Sequence, residues 1–101
     1  MKTLDDFDRC ADRLKALAEP NRLRLVQCLL AGPSNVSQLC DLVGDDIVKV
    51  SHHLGVLRNT GLVKAERDGQ HIVYSLAADV VGKTAGQIDL GCCRFQLHDL
   101  R

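Results

Sequence analysis

Along about the first sixty positions of the chain, apolar residues recur every three or four positions, the spacing of one face of a helix. Four such runs predict helices at residues 5–18, 20–31, 35–43 and 46–59. Residues that begin or end helices separate these runs, at Pro20, Gly32-Pro33, Gly44 and Thr60-Gly61. Because the third and fourth helices are joined by a glycine turn, we expect a helix-turn-helix unit over about residues 35–60.

The pattern changes to alternation after the fourth predicted helix. Residues 62–67 and 71–76 alternate and flank Asp68-Gly69-Gln70, and an Asp-Gly pair favours a tight hairpin turn. A two-stranded wing is therefore predicted over about residues 62–76. Beyond it, apolar residues at helical spacing predict a fifth helix over about residues 78–91, although two glycines weaken it. We expect an irregular cysteine-bearing tail to follow.

Taken together, these elements predict one mainly α winged helix-turn-helix domain over residues 1–101, with residues 78–101 as its last helix and tail. Apolar residues make up 46% of the chain and aromatic residues only 3%, so the core must consist of aliphatic side chains, which suits packed helices. No apolar run has the length of a membrane span, and the amino terminus is acidic, unlike a signal sequence. A cytoplasmic protein with no membrane partner is expected.

The net charge gives no general support for a nucleic-acid partner, because the formal charge of the chain is zero. The charge is nevertheless uneven. Residues 47–71 hold four basic residues against two acidic ones, a local excess of two positive charges. This excess is modest evidence for DNA binding.

Two stretches closely resemble the ArsR/SmtB family of bacterial repressors: VSHHLGVLRNTGLV at residues 50–63 and RDGQHIVYSL at residues 67–76. Upstream, LAEPNRLRL at residues 17–25 is similar to that family's entry to its second helix. The resemblance spans roughly residues 13–76. It implies a cytoplasmic bacterial homodimer, joined through its first and last helices, that binds double-stranded operator DNA with an inverted repeat and releases it when an inducer binds.

Candidate DNA-contacting residues follow from the fourth predicted helix. If Ile47, Val50, Leu54 and Leu57 face the core, other side chains of this helix face away or lie on its flanks. Together with the wing, this predicts DNA contacts by Lys49, Ser51, His52, His53, Arg67, Gln70 and His71.

The alternatives are a solvated polar face and a winged helix that binds protein. The neutral charge and the carboxylates of Asp45 and Asp46, which would repel phosphates unless they act as caps, keep the second alternative open. An enzyme is not expected, because the sequence contains no nucleotide-binding glycine loop and no metalloprotease motif.

Five irregularly spaced cysteines are an odd number, which favours free thiols in a reducing compartment over a disulfide framework. Cys92 and Cys93 offer adjacent soft ligands to a thiophilic ion, and As(III) or Sb(III), which takes three thiolates, is the best chemical match. If the first and last helices meet as the resemblance implies, Cys10 is the leading third ligand, from the same or the other subunit. The ion would act as an inducer and would not be needed for folding.

Two sites known in the resembled family are incomplete here. Its third-helix motif Cys-Val-Cys-Asp-Leu corresponds to residues 38–42, where Cys40 stands without a second thiol and is a weaker candidate ligand. Its last-helix zinc or cobalt site needs histidines, and none lies between His71 and His98. A persulfide or redox sensor that uses Cys28 with Cys92 or Cys93 remains the alternative function, although Cys28 also fits the core of the second helix.

Overall fold

The computed structural model describes residues 4–98 of the chain. Its four helices are α1 (Leu4–Leu17), α2 (Pro20–Leu30), α3 (Val36–Val43) and α4 (Ile47–Asn59). Its strands are β1 (Ser34–Asn35), β2 (Val63–Asp68), β3 (His71–Leu76), β4 (Gln87–Asp89) and β5 (Arg94–Gln96). The four helices and the wing that the sequence predicts are therefore present. None of the helices in the described part is long and apolar enough to cross a membrane.

Side-chain caps fix the beginning of three helices. The Glu19 carboxylate accepts hydrogen bonds from two backbone N–H groups in the first turn of α2. Asn35 and Gln38 form a reciprocal capping box at α3, which ends at Gly44 with a φ of +72°. Asp46 caps α4 by accepting a hydrogen bond from the Lys49 N–H at 2.9 Å. Local hydrogen bonding therefore sets the turn between α3 and α4.

The core lies between α2, α3, α4 and the wing, where Leu25, Leu39 and Leu54 are fully buried. Ile47 is expected to face inward but does not, and Leu42 of α3 is also exposed. Ile47 is 55% exposed and Leu42 is 63% exposed. Ile47 lies in the first turn of α4, ahead of the buried Val50, so helical spacing alone placed it wrongly.

The wing is joined to the helix-turn-helix unit by the short strand β1. In the antiparallel sheet of order β1-β3-β2, Ser34 pairs with Tyr74 and Asn35 pairs with Val73. The strands β2 and β3 pair in register up to Asp68 opposite His71, where Gly69 makes the turn with a φ of +64°. Because Asn35 both pairs with β3 and caps α3, this residue connects the wing to the beginning of α3.

The predicted fifth helix is wrong. Residues 78–80 form a turn, Val81 bridges to Ile88, and β4 and β5 form a second antiparallel hairpin in which Ile88 pairs with Phe95. The backbone at Gly86 has a φ of +79°, which a right-handed helix excludes. The tail is also not irregular, because Arg94–Gln96 is a strand, although residues 99–101 of the predicted tail lie outside the described residues.

Candidate nucleic-acid interface and thiol site

The solvent face of α4 carries three of the predicted DNA-contacting side chains. Lys49, Ser51 and His52 are all exposed, while the opposite face holds the buried Val50 and Leu54. Exposed polar side chains on a helix that is anchored by its apolar face can reach a DNA groove without unfolding. The structure thus leaves these three residues available to a ligand.

A groove between α3, α4 and the wing brings residues from distant parts of the sequence together. Its volume is about 280 Å³, and its lining includes Ser51 of α4 together with Gln70 and His71 at the wing turn. Ser37, at the beginning of α3, lines the same groove and was not predicted from the sequence. Arg67 is exposed on β2, where its Nε lies 3.4 Å from the Gly69 carbonyl oxygen.

His53 differs from its neighbour His52, because its side chain is only 14% exposed. Its Nδ1 lies 3.2 Å from Nη1 of Arg22 and 3.4 Å from Oε2 of Glu19. Burial of the Glu19 carboxylate raises its pKa, but backbone hydrogen bonds from Asn21 and Arg22 and the nearby positive charges outweigh burial, so the pKa of Glu19 lies below its usual value. The structure therefore places His53 in a polar cluster between α2 and α4, away from the exposed face.

The two carboxylates before α4 are both engaged in the fold. Asp46 caps the helix, and Asp45 accepts hydrogen bonds from the Asn21 side chain and from the Asp46 N–H, each at 2.9 Å. The Lys49 Nζ lies 4.0 Å from Asp45 Oδ1 and offsets part of its charge. The repulsion of phosphates that these carboxylates could cause is therefore reduced, because their oxygens already have donors.

Three cysteine sulfurs form a group at the junction of α1 and the second hairpin. The Sγ atoms of Cys10, Cys92 and Cys93 all lie within 4.8 Å of one another. Cys10 is buried on α1, whereas Cys92 and Cys93 are exposed between β4 and β5. All three come from one chain, so the group does not need a second subunit. Cys10 and Cys92 form a disulfide with a Cα–Cα distance of 6.2 Å, which differs from the free thiols that the cysteine count predicts.

The turn that carries the two adjacent cysteines is held by backbone and side-chain hydrogen bonds. The Leu90 N–H donates to the Cys93 carbonyl at 2.9 Å, and the Gly91 N–H donates to Asp89 Oδ1 at 2.8 Å. Next to this turn is a cleft of about 440 Å³ that is lined by Cys10, Cys92 and charged side chains of α1. Cys92 and Cys93 therefore lie on a hydrogen-bonded turn at the edge of an open cleft.

The spacing of the three sulfurs fits a single soft ion once the disulfide is reduced. A zinc–thiolate bond is about 2.3 Å long, so two sulfurs on one such ion lie no more than about 4.6 Å apart. The observed upper limit of 4.8 Å is slightly longer than this value, so the sulfurs must come closer by rotation of the cysteine side chains. Thiolates also select soft ions over hard ones. Cys10, Cys92 and Cys93 can therefore hold a thiophilic ion without a large movement of the backbone.

The other two cysteines are poorer ligands or nucleophiles. Burial raises the pKa of the Cys28 thiol. Burial and the carboxylates of Asp41, Asp46 and Asp45 raise the pKa of the Cys40 thiol. Because the thiolate is the form that binds metals and attacks disulfides, both residues are disfavoured for these roles at neutral pH. Neither belongs to the group of three sulfurs in the described part of the chain.

Known proteins and families match this chain in the region that forms the helix-turn-helix unit and the beginning of the wing. Residues 19–65 match the family described as "Bacterial regulatory protein, arsR family". The crystal structure of a possible transcriptional regulator for arsenical resistance is similar, with 39% sequence identity and a TM-score of 0.64 over 66% of this chain and 70% of that one. The chain belongs to the arsR family of bacterial regulatory proteins. The family that it matches is one of regulatory proteins and not of enzymes.

Two further proteins are similar to this arsR-family chain, one by sequence and one by structure. The regulator NmtR of Mycobacterium tuberculosis is 48% identical over 66 residues, which are 65% of this chain and 55% of NmtR. The homodimeric winged helix-turn-helix DNA-binding domain of Mb0332 from Mycobacterium bovis is 32% identical, with a TM-score of 0.69 over 71% of this chain and 67% of that domain. The chain thus has the winged helix-turn-helix fold and spans little more than half the length of NmtR.

Proposed function

We propose that this arsR-family chain is a cytoplasmic transcriptional repressor that binds operator DNA as a homodimer and leaves it when Cys10, Cys92 and Cys93 bind a thiophilic ion, with As(III) or Sb(III) as the preferred ion. The observation that carries the proposal is the group of three sulfurs within 4.8 Å of one another in a winged helix-turn-helix fold. The similarity to a possible transcriptional regulator for arsenical resistance supports the choice of ion.

In the proposed DNA interface, both α4 and the wing supply contacts. Lys49 and Arg67 are exposed cations that can contact phosphates, whereas Ser51 and His52 can reach base edges in the major groove. Gln70 and His71 line the groove with Ser51 and extend the contact to the wing turn. In this assignment His53 supports α4 through Arg22 and Glu19 and does not contact a base.

The exposed apolar face of α1 supports a homodimer. Phe7 and Leu14 lie seven positions apart and are both about half exposed, with the exposed Ala11 between them on the same face. The Mb0332 domain, with the same fold, is homodimeric. Since residues 78–91 form no fifth helix, α1 provides the apolar surface that a second copy would cover. A twofold dimer of this kind matches an inverted repeat in the operator.

At the inducer end, the disulfide must be open before an ion can bind. Reduced Cys10, Cys92 and Cys93 supply three thiolates, and binding displaces their protons. The ion would tie the turn between β4 and β5 to α1. A hundredfold lower affinity for the operator requires a coupling free energy of about 2.7 kcal/mol between ion binding and DNA binding, which lies within the usual range for allosteric regulators.

Arsenite titration of the reduced protein tests this proposal. The protein is bound to a fluorescent operator duplex selected in vitro, and anisotropy follows its release. We expect arsenite to weaken binding by about a hundredfold in the wild type and to have little effect when Cys92 and Cys93 are both replaced by Ser. Cys28→Ser is the matched control, because Cys28 lies outside the sulfur group and should leave the response intact. Unchanged release by the Cys92/Cys93 double variant would rule out the proposed site.

The Cys10–Cys92 disulfide itself favours a second candidate function, an oxidant-responsive repressor. In this case the two thiols lose two electrons and two protons to a peroxide, which is reduced to two waters, and a disulfide forms without an ion. Peroxide would then release the operator from wild-type protein and from the matched control Cys93→Ser. It would not release the operator from Cys10→Ser, which cannot form the disulfide. A mass loss of about 2 Da per chain would accompany release. The pairing of Cys28 with Cys92 or Cys93, expected from the sequence for a redox sensor, is not present.

A further inference from the structure

The side chain of Arg13 on α1 lies between the sulfur group and the end of α4. Its Nε donates to the Thr60 carbonyl at 3.0 Å, and its Nη1 donates to the Leu90 carbonyl at 3.5 Å. Its Nη2 lies 4.0 Å from Asp79 Oδ2, and the side chain is only 19% exposed. The guanidinium therefore bridges three parts of the chain that are far apart in the sequence.

One end of this bridge is the carboxyl terminus of α4, the recognition helix of the proposed DNA interface. Thr60 is the cap residue of α4, and the last carbonyls of a helix have no partner within the helix. A cation at this end also interacts favourably with the helix dipole. A β-carbon on Gly61 would lie 3.2 Å from Arg13 Nη2, so the guanidinium packs closely against the turn that ends α4. The position of Arg13 is thus coupled to the end of α4.

The other end of the bridge is the turn that carries the cysteines. Leu90 accepts from Arg13 through its carbonyl and donates through its N–H to the Cys93 carbonyl at 2.9 Å. Cys10 precedes Arg13 by three residues, so the two side chains lie on one side of α1. Both line the cleft that Cys92 also lines. A change in how the turn sits against Cys10 must therefore change the distance between Leu90 and Arg13.

We propose that Arg13 is the positioning residue that couples the Cys10, Cys92 and Cys93 site to the recognition helix. The inference rests on the proposed function and adds the route by which the site acts. The turn cannot move relative to α1 without altering the Leu90 contact, and the same guanidinium holds the Thr60 carbonyl. Arg13 thereby transmits a rearrangement at the sulfurs to the end of α4, whose exposed face carries Lys49.

The test separates coupling from binding and from folding. Arg13→Lys keeps the charge, but its single Nζ cannot donate to two carbonyls in the planar arrangement of a guanidinium. Arg13→Gln removes the charge. Arg9→Gln is the matched control, because Arg9 lies one turn earlier on α1, lines the same cleft and pairs with Asp6 on its own helix. Each variant is first checked for a cooperative thermal unfolding transition.

Three measurements are made on the reduced proteins. Thiolate absorbance without DNA measures arsenite binding, and operator affinity is measured with and without arsenite. Hydrogen exchange is followed at the Gly61 N–H, which donates to the Arg58 carbonyl at 2.9 Å. In Arg13→Lys we expect arsenite binding within about twofold of wild type, and release that falls from about a hundredfold to less than about tenfold. Arsenite should change the Gly61 exchange rate in wild type and in Arg9→Gln but not in Arg13→Lys.

Full release in both Arg13 variants would overturn the inference while leaving the sulfur site intact. Loss of arsenite binding or of cooperative unfolding in both variants would instead make Arg13 a structural residue, and would also overturn it. If wild-type protein binds no arsenite, the proposed function itself fails. The coupling role is supported if folded Arg13→Lys protein binds arsenite, releases the operator less than about tenfold and shows no effect of arsenite on the exchange of the Gly61 N–H.

Discussion

Replacing Gly86 by Ala distinguishes the hairpin at residues 86–97 from the helix that the sequence pattern predicts there. Gly86 has a φ of +79°, and a β-carbon at this position would lie 2.7 Å from the Leu97 carbonyl oxygen. The left-handed backbone alone costs a residue with a β-carbon roughly 1–2 kcal/mol, and the contact with a backbone oxygen adds to this cost. In the interior of a helix the same change would stabilise the protein by about 1 kcal/mol. The hairpin and the helix therefore predict changes of opposite sign in the free energy of unfolding when Gly86 is replaced by Ala.

Thermal unfolding followed by circular dichroism measures the difference, with the disulfide in the same state in all samples. For a domain of this size, 1 kcal/mol corresponds to a shift in Tm of about 4–8 °C, so a loss of about 2 kcal/mol lowers the Tm by roughly 8–16 °C. Gly55→Ala is the control, since Gly55 lies within α4 with open space around its missing β-carbon and should tolerate Ala or gain stability. A rise in Tm for Gly86→Ala would refute the hairpin.

Three further predictions concern charge and covalent linkage. Lys49→Ala should lower the slope of log affinity against log salt by about 1.8 for a dimer, because each lost phosphate contact contributes about 0.9; an unchanged slope would remove Lys49 from the interface. The depressed pKa of Glu19 means that its contribution to stability is present above its ordinary pKa of 4.5 and is lost as the pH falls through the lower folded-state pKa. The gap in Tm between wild type and Glu19→Gln should therefore be full at pH 6 and shrink towards pH 3; a gap that widens on acidification would contradict this. Reducing the Cys10–Cys92 disulfide, which links residues 82 positions apart, should lower the free energy of unfolding in urea by up to about 4.5 kcal/mol, whereas Cys10→Ser should show no response to reductant.

The helix-turn-helix unit and wing could be predicted because their signals are local. Asn35 and Asp46 are cap residues next to the apolar runs that they begin, and Gly44 marks the turn between these runs. The second hairpin has no comparable signal. Val81, Ala85 and Ile88 have helical spacing, but the hairpin depends on contacts such as the Leu97 N–H donating to the Gly86 carbonyl, eleven residues away.

The candidate thiol site was predicted in part, for chemical reasons. An adjacent pair such as Cys92 and Cys93 in a polar tail has little reason to be there for packing, and Cys10 was the third thiol expected beside it. The bridge from Arg13 to Thr60 spans 47 positions and involves a backbone carbonyl, which no side-chain pattern reveals. Helical spacing predicts that His52 faces away from the core and that His53 lies on the flank of the helix, where both could contact DNA. Only the fold shows that Arg22 and Glu19 surround His53.

The short strand β1 has a practical consequence for moving DNA specificity between regulators of this kind. Because Ser34 and Asn35 pair with Tyr74 and Val73, the wing is hydrogen-bonded to the segment that begins the helix-turn-helix unit. A chimera that transplants only residues 47–59 combines one protein's recognition helix with another's wing geometry. Residues 34–76 are therefore the smallest cassette that carries helix, wing and their mutual register together, while the thiol site at Cys92 and Cys93 stays with the recipient.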